Sequence, residues 1–299
     1  MAWQKGDMVT RYSHNHDLLF RVQYQQGDNI ILYGENFRLE VDAPQSDLRR
    51  VTNDERQQLE QPVREDEASS YRMFRQDYYL RSFRHYATTA LKEDPIIQFQ
   101  LCPKVLHIDG DQLFLKKCIM LYKRLGLQVH GIHVQESEMP EKTKELVRKI
   151  QPDVLVITGH DAYSKDKGDK ENLRAYRNSK YFVEAVREAR RVQPSLDQLV
   201  IFAGACQSHF ESLIKAGANF ASSPTRINIH ALDPVYVIAK IGFTSFMDRV
   251  DLYDVLHKTV TREKGIGGVE TRGLFRVGLP YMQGLPHTTE QPQDNEHRS

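Results

Sequence analysis

Cys206 and His160 are the residues whose types and positions in the sequence point to chemistry. Each directly follows an apolar, strand-like run, LVIFAGA before the cysteine and DVLVITG before the histidine. In parallel sheets reactive groups lie at the carboxyl ends of strands, and the ends of neighbouring strands are about 5 Å apart. A thiolate can attack a peptide carbonyl, and an imidazole within reach can pass a proton to the leaving amine. The sequence therefore predicts a Cys–His pair that needs no metal and no cofactor.

The segment after Cys206 should influence the reactivity of its thiol. The run SHFESLIKAG has helical character, and a helix beginning there would lower the pKa of the thiol through its N-terminal dipole. The small residues Gly159, Gly204 and Ala205 lie beside the pair and leave room for a substrate backbone. Both features favour a reactive cysteine over a buried structural one.

Backbone N–H groups at the two strand ends can hold the negatively charged oxygen that forms during acyl transfer. Those of Gly159, Asp161 and Cys206 are the natural candidates, and the Asp161 carboxylate could equally orient the His160 ring. Buried cysteines and strand-end histidines are also common structural residues, so composition alone does not establish the pair. The spacing of 46 positions agrees with the caspase signature, whose histidine lies about 50 residues before an Ala-Cys element.

A regular alternation of strands and helices from residue 103 onward must position these residues. Runs such as VLHID and VLVIT are too continuous for a sheet with one exposed face. The alternation predicts an α/β fold in which helices cover both faces of a parallel sheet. The predicted strands are 104–110, 128–134, 153–159, 198–204 and 219–224. The predicted helices are 111–126, 141–151, 171–192, 206–217 and 231–242.

Four segments of different character divide the chain. Residues 1–53 hold short strand-like runs between Gly, Asn and Asp turns, which predict a small Tudor-like β-barrel. Residues 54–102 form a charged and aromatic helical connector, and residues 103–285 form the α/β domain. Residues 286–299 are polar, contain two prolines and predict a disordered tail.

Aromatic residues and arginines are interleaved in the connector, in SYRMFRQDYYLRSFRHYA. Such a mixture can bind single-stranded nucleic acid. Tyr71, Phe74 and Tyr78 fall at helical spacing, however, which favours a helix that packs its aromatic face on the next domain. This interpretation gives no role to nucleic acid as a partner.

Composition and cysteine content indicate in which cellular compartment the protein is found. The net charge is +1 over 299 residues, which gives no overall bias toward nucleic acid or an anionic membrane. No run reaches the roughly 18 apolar residues of a membrane helix, and the N-terminus lacks a signal-peptide core. Three cysteines without a Cys-x-x-Cys pair do not suggest a disulfide framework. We expect a cytoplasmic protein with no membrane role; the oligomeric state stays open.

Several segments resemble the YabG family of sporulation-specific proteases: VLHIDGD, PDVLVITGHDAYSKDKG, LVIFAGACQS, SSPTRINIHALDPV and the N-terminal GDMVTRYSHNHDLLFRV. The resemblance covers roughly residues 5–50 and 103–280. It implies a caspase-like, flavodoxin-like three-layer domain and a thiol endopeptidase with Cys206 and His160 as its functional residues. It further implies protein substrates from the spore coat and sporulation, cut after Arg or other basic residues. The implied location is the cytoplasm of the mother cell, with association to the spore coat.

The chain departs from the wider caspase-like pattern at its histidine. That pattern has His-Gly, whereas Gly159 precedes His160 here and Asp161 follows it. The oxyanion donor is then expected to be the N–H of Asp161 or Ala162. An arginine-directed pocket needs a buried acid to pair the guanidinium. Besides Asp161, the candidates are Asp169, Asp233 and Asp248.

One alternative is a receiver-like binding module without catalysis. The opening VLHIDGDQLFLKKCIMLYKRLGLQV resembles a response-regulator receiver, with Asp109 and Asp111 as an acid pair. The phosphoacceptor position is Thr158, however, and the lysine expected before the proline is Ser223. Asp109 and Asp111 are then interpreted as a turn residue and a helix N-cap.

A second alternative is a metal-dependent hydrolase. His160, Asp161, Cys206 and His209 are residue types that bind zinc. No His-x-x-x-His or Glu-containing zinc motif accompanies them, and His209 lies about one helical turn after the cysteine, where capping is an ordinary role. This leaves the thiol peptidase as the leading hypothesis.

Overall fold

The N-terminal part of the chain forms a five-stranded antiparallel sheet. The computed structural model describes residues 3–89 and 99–278. The strand order is β4-β3-β2-β1-β5, and no ladder in the described residues joins the edge strands β4 and β5, so the closed barrel stays a prediction. The strands are β1 Met8–Arg11, β2 Phe20–Gln26, β3 Asn29–Gly34, β4 Glu40–Pro44 and β5 Leu48–Arg50.

A long helix, α1, follows this sheet and runs from Asn53 to Thr89. Phe74 is buried in the core of the α/β domain, and Tyr71 and Tyr78 pack against the same cluster. The prediction that the aromatic face packs on the next domain is therefore confirmed. Residues 90–98 of the predicted connector lie outside the described residues.

The large sheet has six strands in the order β12-β11-β10-β9-β7-β8. Its first five strands in chain order are parallel and stand in the order 2-1-3-4-5, a common order of doubly wound α/β proteins. The last strand pairs antiparallel at one edge and comes from the Gly-rich run GIGGVETRG. The strands are β7 Val105–Asp109, β8 Val129–His133, β9 Val154–Thr158, β10 Val200–Ala203, β11 Phe220–Ser222 and β12 Ile266–Gly268. A separate ladder pairs β6 Phe99–Leu101 with β13 Arg276–Gly278.

Helices cover both faces of this sheet, and the period-2 alternation of its strands divides the core in two. Val154 and Val156 of β9 point into the cluster formed with α1, α2, α6 and α7, whereas Leu155 and Ile157 point into the cluster formed with α3, α4 and α5. Burial on both faces explains the continuous apolar runs of the sequence. The helices are α2 Gln112–Leu125, α3 Met139–Ile150, α4 Ser179–Val192, α5 Phe210–Ala216, α6 Asp233–Gly242 and α7 Leu252–Leu256.

Two predicted helix starts are wrong. The helix expected from residue 171 begins at Ser179, because residues 171–178 form a short 3-10 turn and a loop. The helix expected from Cys206 begins only at Phe210, after an N-cap at His209. Residues 279–299, including the predicted tail, lie outside the described residues. None of the described helices is long and apolar enough to cross a membrane.

The N-terminal sheet packs over the carboxyl ends of the parallel strands. Its buried residues, among them Phe20, Leu32 and Leu39, share one apolar cluster with Cys206 and Ile229 of the α/β domain. The predicted reactive cysteine therefore lies at the interface between the two parts of the chain.

Candidate active site

His160 and Cys206 lie just beyond the carboxyl ends of two adjacent strands, as expected. Strands β9 and β10 pair in parallel, with Ile157 opposite Ala203. Both side chains are fully buried. No hydrogen bond among the described residues joins the imidazole to the thiol. The Cys206 Sγ instead lies 3.2 Å from the backbone N and 3.5 Å from the carbonyl O of Ile229.

The His160 ring is held from several sides. Its plane stacks on Tyr33 with 3.8 Å between ring centroids, and Phe114 lies 5.5 Å away. The Nε2 atom is 2.9 Å from the Asp111 carboxylate, whereas Nδ1 is buried and has no hydrogen-bond partner in the described part of the chain. An imidazole that donates from Nε2 to a carboxylate leaves Nδ1 as its basic nitrogen.

Asp111 is a site residue that sequence reasoning assigned only to capping. One carboxylate oxygen caps α2 through the N–H groups of Leu113 and Phe114, so the N-cap prediction is confirmed. The other oxygen accepts from His160 and, at 3.1 Å, from Arg21. Burial acts to raise the pKa of Asp111, but the hydrogen bond and charge of His160, with the charge of Arg21, hold it well below its ordinary value. The carboxylate is therefore available to orient the ring.

The Asp161 carboxylate does not hold the His160 ring. It accepts from the hydroxyls of Ser179 and Ser208 and from the backbone N–H groups of Ala162 and Asn178. These contacts connect the loop after β9 with the loop after β10, since the Ser208 hydroxyl also accepts from the N–H of Ala205. Burial raises the pKa of Asp161 to about 6, although these hydrogen bonds act to lower it.

The N–H groups of Cys206 and Asp161 converge on one oxygen, the backbone carbonyl of Arg38 in the N-terminal sheet, at 3.2 and 3.3 Å. Two donors on one carbonyl beside a thiol have the geometry of an oxyanion site. Gly159 instead leaves room for the Glu136 side chain. A Cβ atom there would lie 2.4 Å from the Glu136 carboxylate, which accepts from the His160 N–H at 2.9 Å.

The expected lowering of the Cys206 pKa is wrong for this arrangement. Helix α5 begins four residues beyond the cysteine, so its N-terminal dipole does not act on the sulfur directly. Burial raises the pKa of the Cys206 thiol, so the group is a neutral thiol while the N-terminal sheet covers it.

The three predicted acids of a specificity pocket are spread over the molecule. Asp169 and Asp248 are exposed. Asp233 is buried, but its carboxylate accepts from the N–H groups of Val260 and Thr261. None of them pairs with an arginine among the described ion pairs.

Asp109 is the buried acid that does hold an arginine, a role beyond the turn expected of it, and its carboxylate also accepts from the Asp111 N–H at 2.9 Å. It ends β7, is fully buried, and lies 2.8 Å from Nη1 of Arg38, which is also fully buried. The Arg38 Nη2 donates to the Ala231 carbonyl at 3.1 Å and lies 3.5 Å from the Cys118 sulfur. These partners are distant in the sequence, so local patterns could not reveal them.

The residues proposed for a metal site do not assemble into one. The His209 ring contacts the Glu171 carbonyl through Nε2 and caps α5 through Nδ1. Among the described residues a different group, His107, Asp109 and Cys118, brings possible ligand atoms within 4.8 Å of one another. The Arg38 guanidinium already lies against two of these side chains, which places a cation where the ion would bind.

The receiver alternative gains no support at its diagnostic positions. The Thr158 hydroxyl donates to Asp109 at 3.0 Å, and the Ser223 hydroxyl donates to the Ile227 carbonyl. Neither side chain supplies the carboxylate or the amine that aspartyl phosphorylation requires.

The comparisons with known proteins agree with the resemblance seen in the sequence. A family model described as YabG peptidase U57 matches residues 4–280, which is most of the chain. The chain therefore belongs to this peptidase family. It is 53% identical over 287 residues to the sporulation-specific protease YabG of Bacillus subtilis strain 168, covering 94% of this chain and 99% of that protein.

Proposed function

We propose that the protein is a cysteine endopeptidase in which Cys206 is the nucleophile, His160 the general base and Asp111 the residue that orients the base. One observation supports the proposal above all. The N–H groups of Cys206 and Asp161 bind a single peptide carbonyl, the Cys206 thiol is buried, and the His160 Nδ1 has no hydrogen-bond partner among the described residues. Paired donors on one carbonyl beside a thiol are the arrangement that an acyl-transfer site needs for its oxyanion.

The reaction proceeds in two stages. The Nδ1 atom of His160 takes the thiol proton, and the Cys206 sulfur attacks the substrate carbonyl to form a tetrahedral intermediate. The N–H groups of Cys206 and Asp161 bind its oxyanion. The intermediate collapses to a thioester as His160 gives its proton to the leaving amine. A water molecule activated by the same ring then hydrolyses the thioester and restores the thiol.

The caspase-like assignment rests on this arrangement together with strand order. The histidine follows the third parallel strand and the cysteine follows the fourth, next to it in the sheet. The residue after His160 supplies one oxyanion N–H, which is the task of the glycine in the caspase-like His-Gly element. Only the N–H is required, so Asp161 can stand in that position.

The biological substrates are proposed from the relative. The Bacillus subtilis protein is named a sporulation-specific protease, and identity of 53% over nearly the full length supports the same role here. We assign to this chain the processing of spore-coat and other sporulation proteins after Arg or another basic residue. Its location would be the cytoplasm of the mother cell, with association to the spore coat.

The decisive variant is Cys206→Ala, with Cys102→Ala as the control because Cys102 is exposed. We expect Cys206→Ala to abolish cleavage of an Arg-containing protein substrate and Cys102→Ala to leave it unchanged. Iodoacetamide should inactivate the wild type, and a chelator should not. Residual activity in folded Cys206→Ala, or loss of activity to chelators alone, would contradict a thiol mechanism.

A further inference from the structure

The loop between β3 and β4 projects into the candidate active site. The N–H of Gly34 donates to the Leu39 carbonyl and closes the base of this loop, so residues 35–38 extend beyond their own sheet. Phe37 pairs antiparallel with His230, and Leu39 forms a parallel bridge with Asp161. The tip of the loop is therefore held by the α/β domain.

The backbone of the loop makes the hydrogen bonds of an added strand. The Arg38 N–H donates to the Ile229 carbonyl at 3.4 Å, and the Asn36 carbonyl accepts from Ala231 at 2.9 Å. On the other side of Arg38, the Glu40 N–H donates to the Asp161 carbonyl at 3.4 Å. Main-chain pairing of this kind is how proteins bind extended peptides irrespective of their side chains.

The Arg38 carbonyl lies where a scissile carbonyl would have to lie. It accepts from Cys206 and Asp161, the two donors assigned to the oxyanion site. Residues Asn36 and Phe37 then occupy the positions before the scissile bond, and Leu39 occupies the position after it.

The Arg38 side chain fills a pocket that is built from the α/β domain. Asp109 faces the guanidinium, the Ala231 carbonyl accepts from it, and the Phe114 ring lies 5.3 Å from its central carbon. The Asp109 carboxylate is itself fixed by the Thr158 hydroxyl and the Asp111 N–H. A buried guanidinium is costly unless such partners are in place, so the pocket selects for arginine.

We propose that the loop Asn36–Glu40 occupies the active site as a bound substrate would, with Arg38 in the specificity pocket and Asp109 as the residue that determines preference for arginine. The inference rests on the proposed peptidase function and names its specificity residue. It also means that the loop must leave the cleft before another protein chain can enter.

The pocket can be tested by ligand binding in a chain that lacks the nucleophile. In the Cys206→Ala background, Arg38→Ala should open the pocket to N-acetyl-arginine amide, measured by calorimetry. We expect at least about tenfold weaker binding when Arg38 is present, because the loop competes. Adding Asp109→Asn should weaken binding about 10- to 100-fold, as expected for loss of a charged hydrogen-bond acceptor.

Two controls accompany this test. Cys206→Ala with Arg49→Ala removes a partly exposed arginine of the same sheet, which pairs with Glu55, and should behave as Cys206→Ala alone. N-acetyl-citrulline amide has the shape of the probe without its charge and should not bind. Equal binding with and without Arg38, binding of the citrulline probe, or no binding to the folded Arg38→Ala chain would overturn the proposal.

A second measurement covers the case in which Arg38→Ala does not fold. Phe37→Ala should loosen the loop while it keeps the arginine, and so raise the rate at which iodoacetamide labels Cys206 about tenfold. Tyr24→Ala, an exposed aromatic of the same sheet, is the control, and exposed Cys102 is an internal reference. If wild-type Cys206 is labelled as fast as Cys102, or if Phe37→Ala changes nothing, the loop does not block the site.

The outcomes separate this inference from the proposed function. Binding of the arginine probe is measured in a chain without Cys206, so it does not depend on catalysis. Cleavage by folded Cys206→Ala would refute the thiol mechanism and leave the binding result intact. A failed binding test with normal Cys206-dependent cleavage would refute the pocket alone.

Discussion

One carboxylate oxygen of Asp111 caps α2, and the other accepts from the His160 ring. Substitutions can therefore remove one interaction and keep the other. Asp111→Ser keeps a good N-cap residue and removes the carboxylate that faces the ring. We expect kcat to fall roughly 10²- to 10⁴-fold, the range attributed to a positioned general base, because the imidazole loses its orientation. The measurement is kcat on an Arg-containing peptide, with the free energy of unfolding determined in parallel.

The comparison variant is Asp111→Ala, which loses the cap as well and should cost about 1 kcal/mol of stability relative to Asp111→Ser. If kcat is lower in Asp111→Ala than in Asp111→Ser, in step with the lower stability, Asp111 affects catalysis by stabilising helix α2. If both variants have the same low kcat, Asp111 affects catalysis by orienting the His160 ring.

Asp161 should make stability depend on pH. Burial raises its pKa from the ordinary value of 3.8 to about 6, so the fold favours the protonated acid. Its contribution is complete below pH 4 and is lost as the pH rises through about 6. Asp161→Asn removes this titration; its Oδ1 can still accept from the N–H groups of Ala162 and Asn178, whereas its Nδ2 would donate to the serine hydroxyls instead of accepting from them.

Urea unfolding at pH 4.5 and 7.5 tests this directly. Between these values the free energy of unfolding of the wild type should fall by about 2 kcal/mol more than that of Asp161→Asn. Parallel changes in the two proteins would show that Asp161 is ionised in the folded state at both pH values.

The strand-end positions of Cys206 and His160 could be predicted from their local sequence. Cys206 and His160 both follow buried apolar strands, and such runs locate strand ends well. The partners could not be predicted in the same way. Asp111 shows an N-cap pattern whose second oxygen has no sequence signature, and the contact of Arg38 with Asp109 joins residues 71 positions apart.

At the level of elements, helix α1 contributes the buried side chain of Phe74 to the core of the α/β domain. Phe74 is buried against Tyr236 and Phe243, with ring centroids 6.2 Å apart in each case. Phe74→Ala should lower the free energy of unfolding by about 3–5 kcal/mol because it leaves a cavity. Arg72 lies two positions before Phe74 on the exposed face of the same helix. Arg72→Ala should change the free energy of unfolding by less than about 0.5 kcal/mol.

Denaturant unfolding of the two variants checks this prediction. A small effect of Phe74→Ala would mean that α1 rests on the domain without stabilising it. The same helix also contacts the segment that pairs with Phe37, since the Glu67 carboxylate lies 3.2 Å from the His230 ring. Its position therefore bears on the loop that pairs with Phe37.

The strands were the most predictable elements and the helix starts the least. Strands β7, β9 and β10 are buried on both faces, so their apolar runs coincide closely with their bounds. The start of α4 at Ser179 was not predictable from propensity. The residues before it are held by tertiary partners, with the Asn178 N–H donating to Asp161.

At the level of the whole molecule, ion pairs hold the N-terminal sheet to the α/β domain. Arg177 contacts Glu40 at 2.9 Å and Asp42 at 2.6 Å, both on β4. The pairs are partly exposed, so each contributes about 0.2–1 kcal/mol. Because Arg177 makes two such pairs, Arg177→Ala should raise hydrogen exchange of residues 36–42 by a factor of roughly 2 to 30.

Hydrogen exchange followed by mass spectrometry gives this rate. Arg187→Ala is the control, because Arg187 pairs only with Glu184 on the surface of α4 among the described ion pairs. Unchanged exchange in residues 36–42 of Arg177→Ala would mean that the Arg177 pairs contribute nothing and that the other contacts, such as the Arg38–Asp109 pair and the apolar interface, hold the sheet in place.

On the proposal made above, the loop of residues 36–40 and the active site belong to one chain, so inhibitor and peptidase would always be present in equal numbers. Tethering gives the loop an effective concentration in the millimolar range or above, whatever the abundance of the protein. Dilution would not release the site, and higher expression would not overwhelm it. Onset of activity would then follow first-order kinetics, with a rate constant that is set by departure of the loop and does not depend on protein concentration.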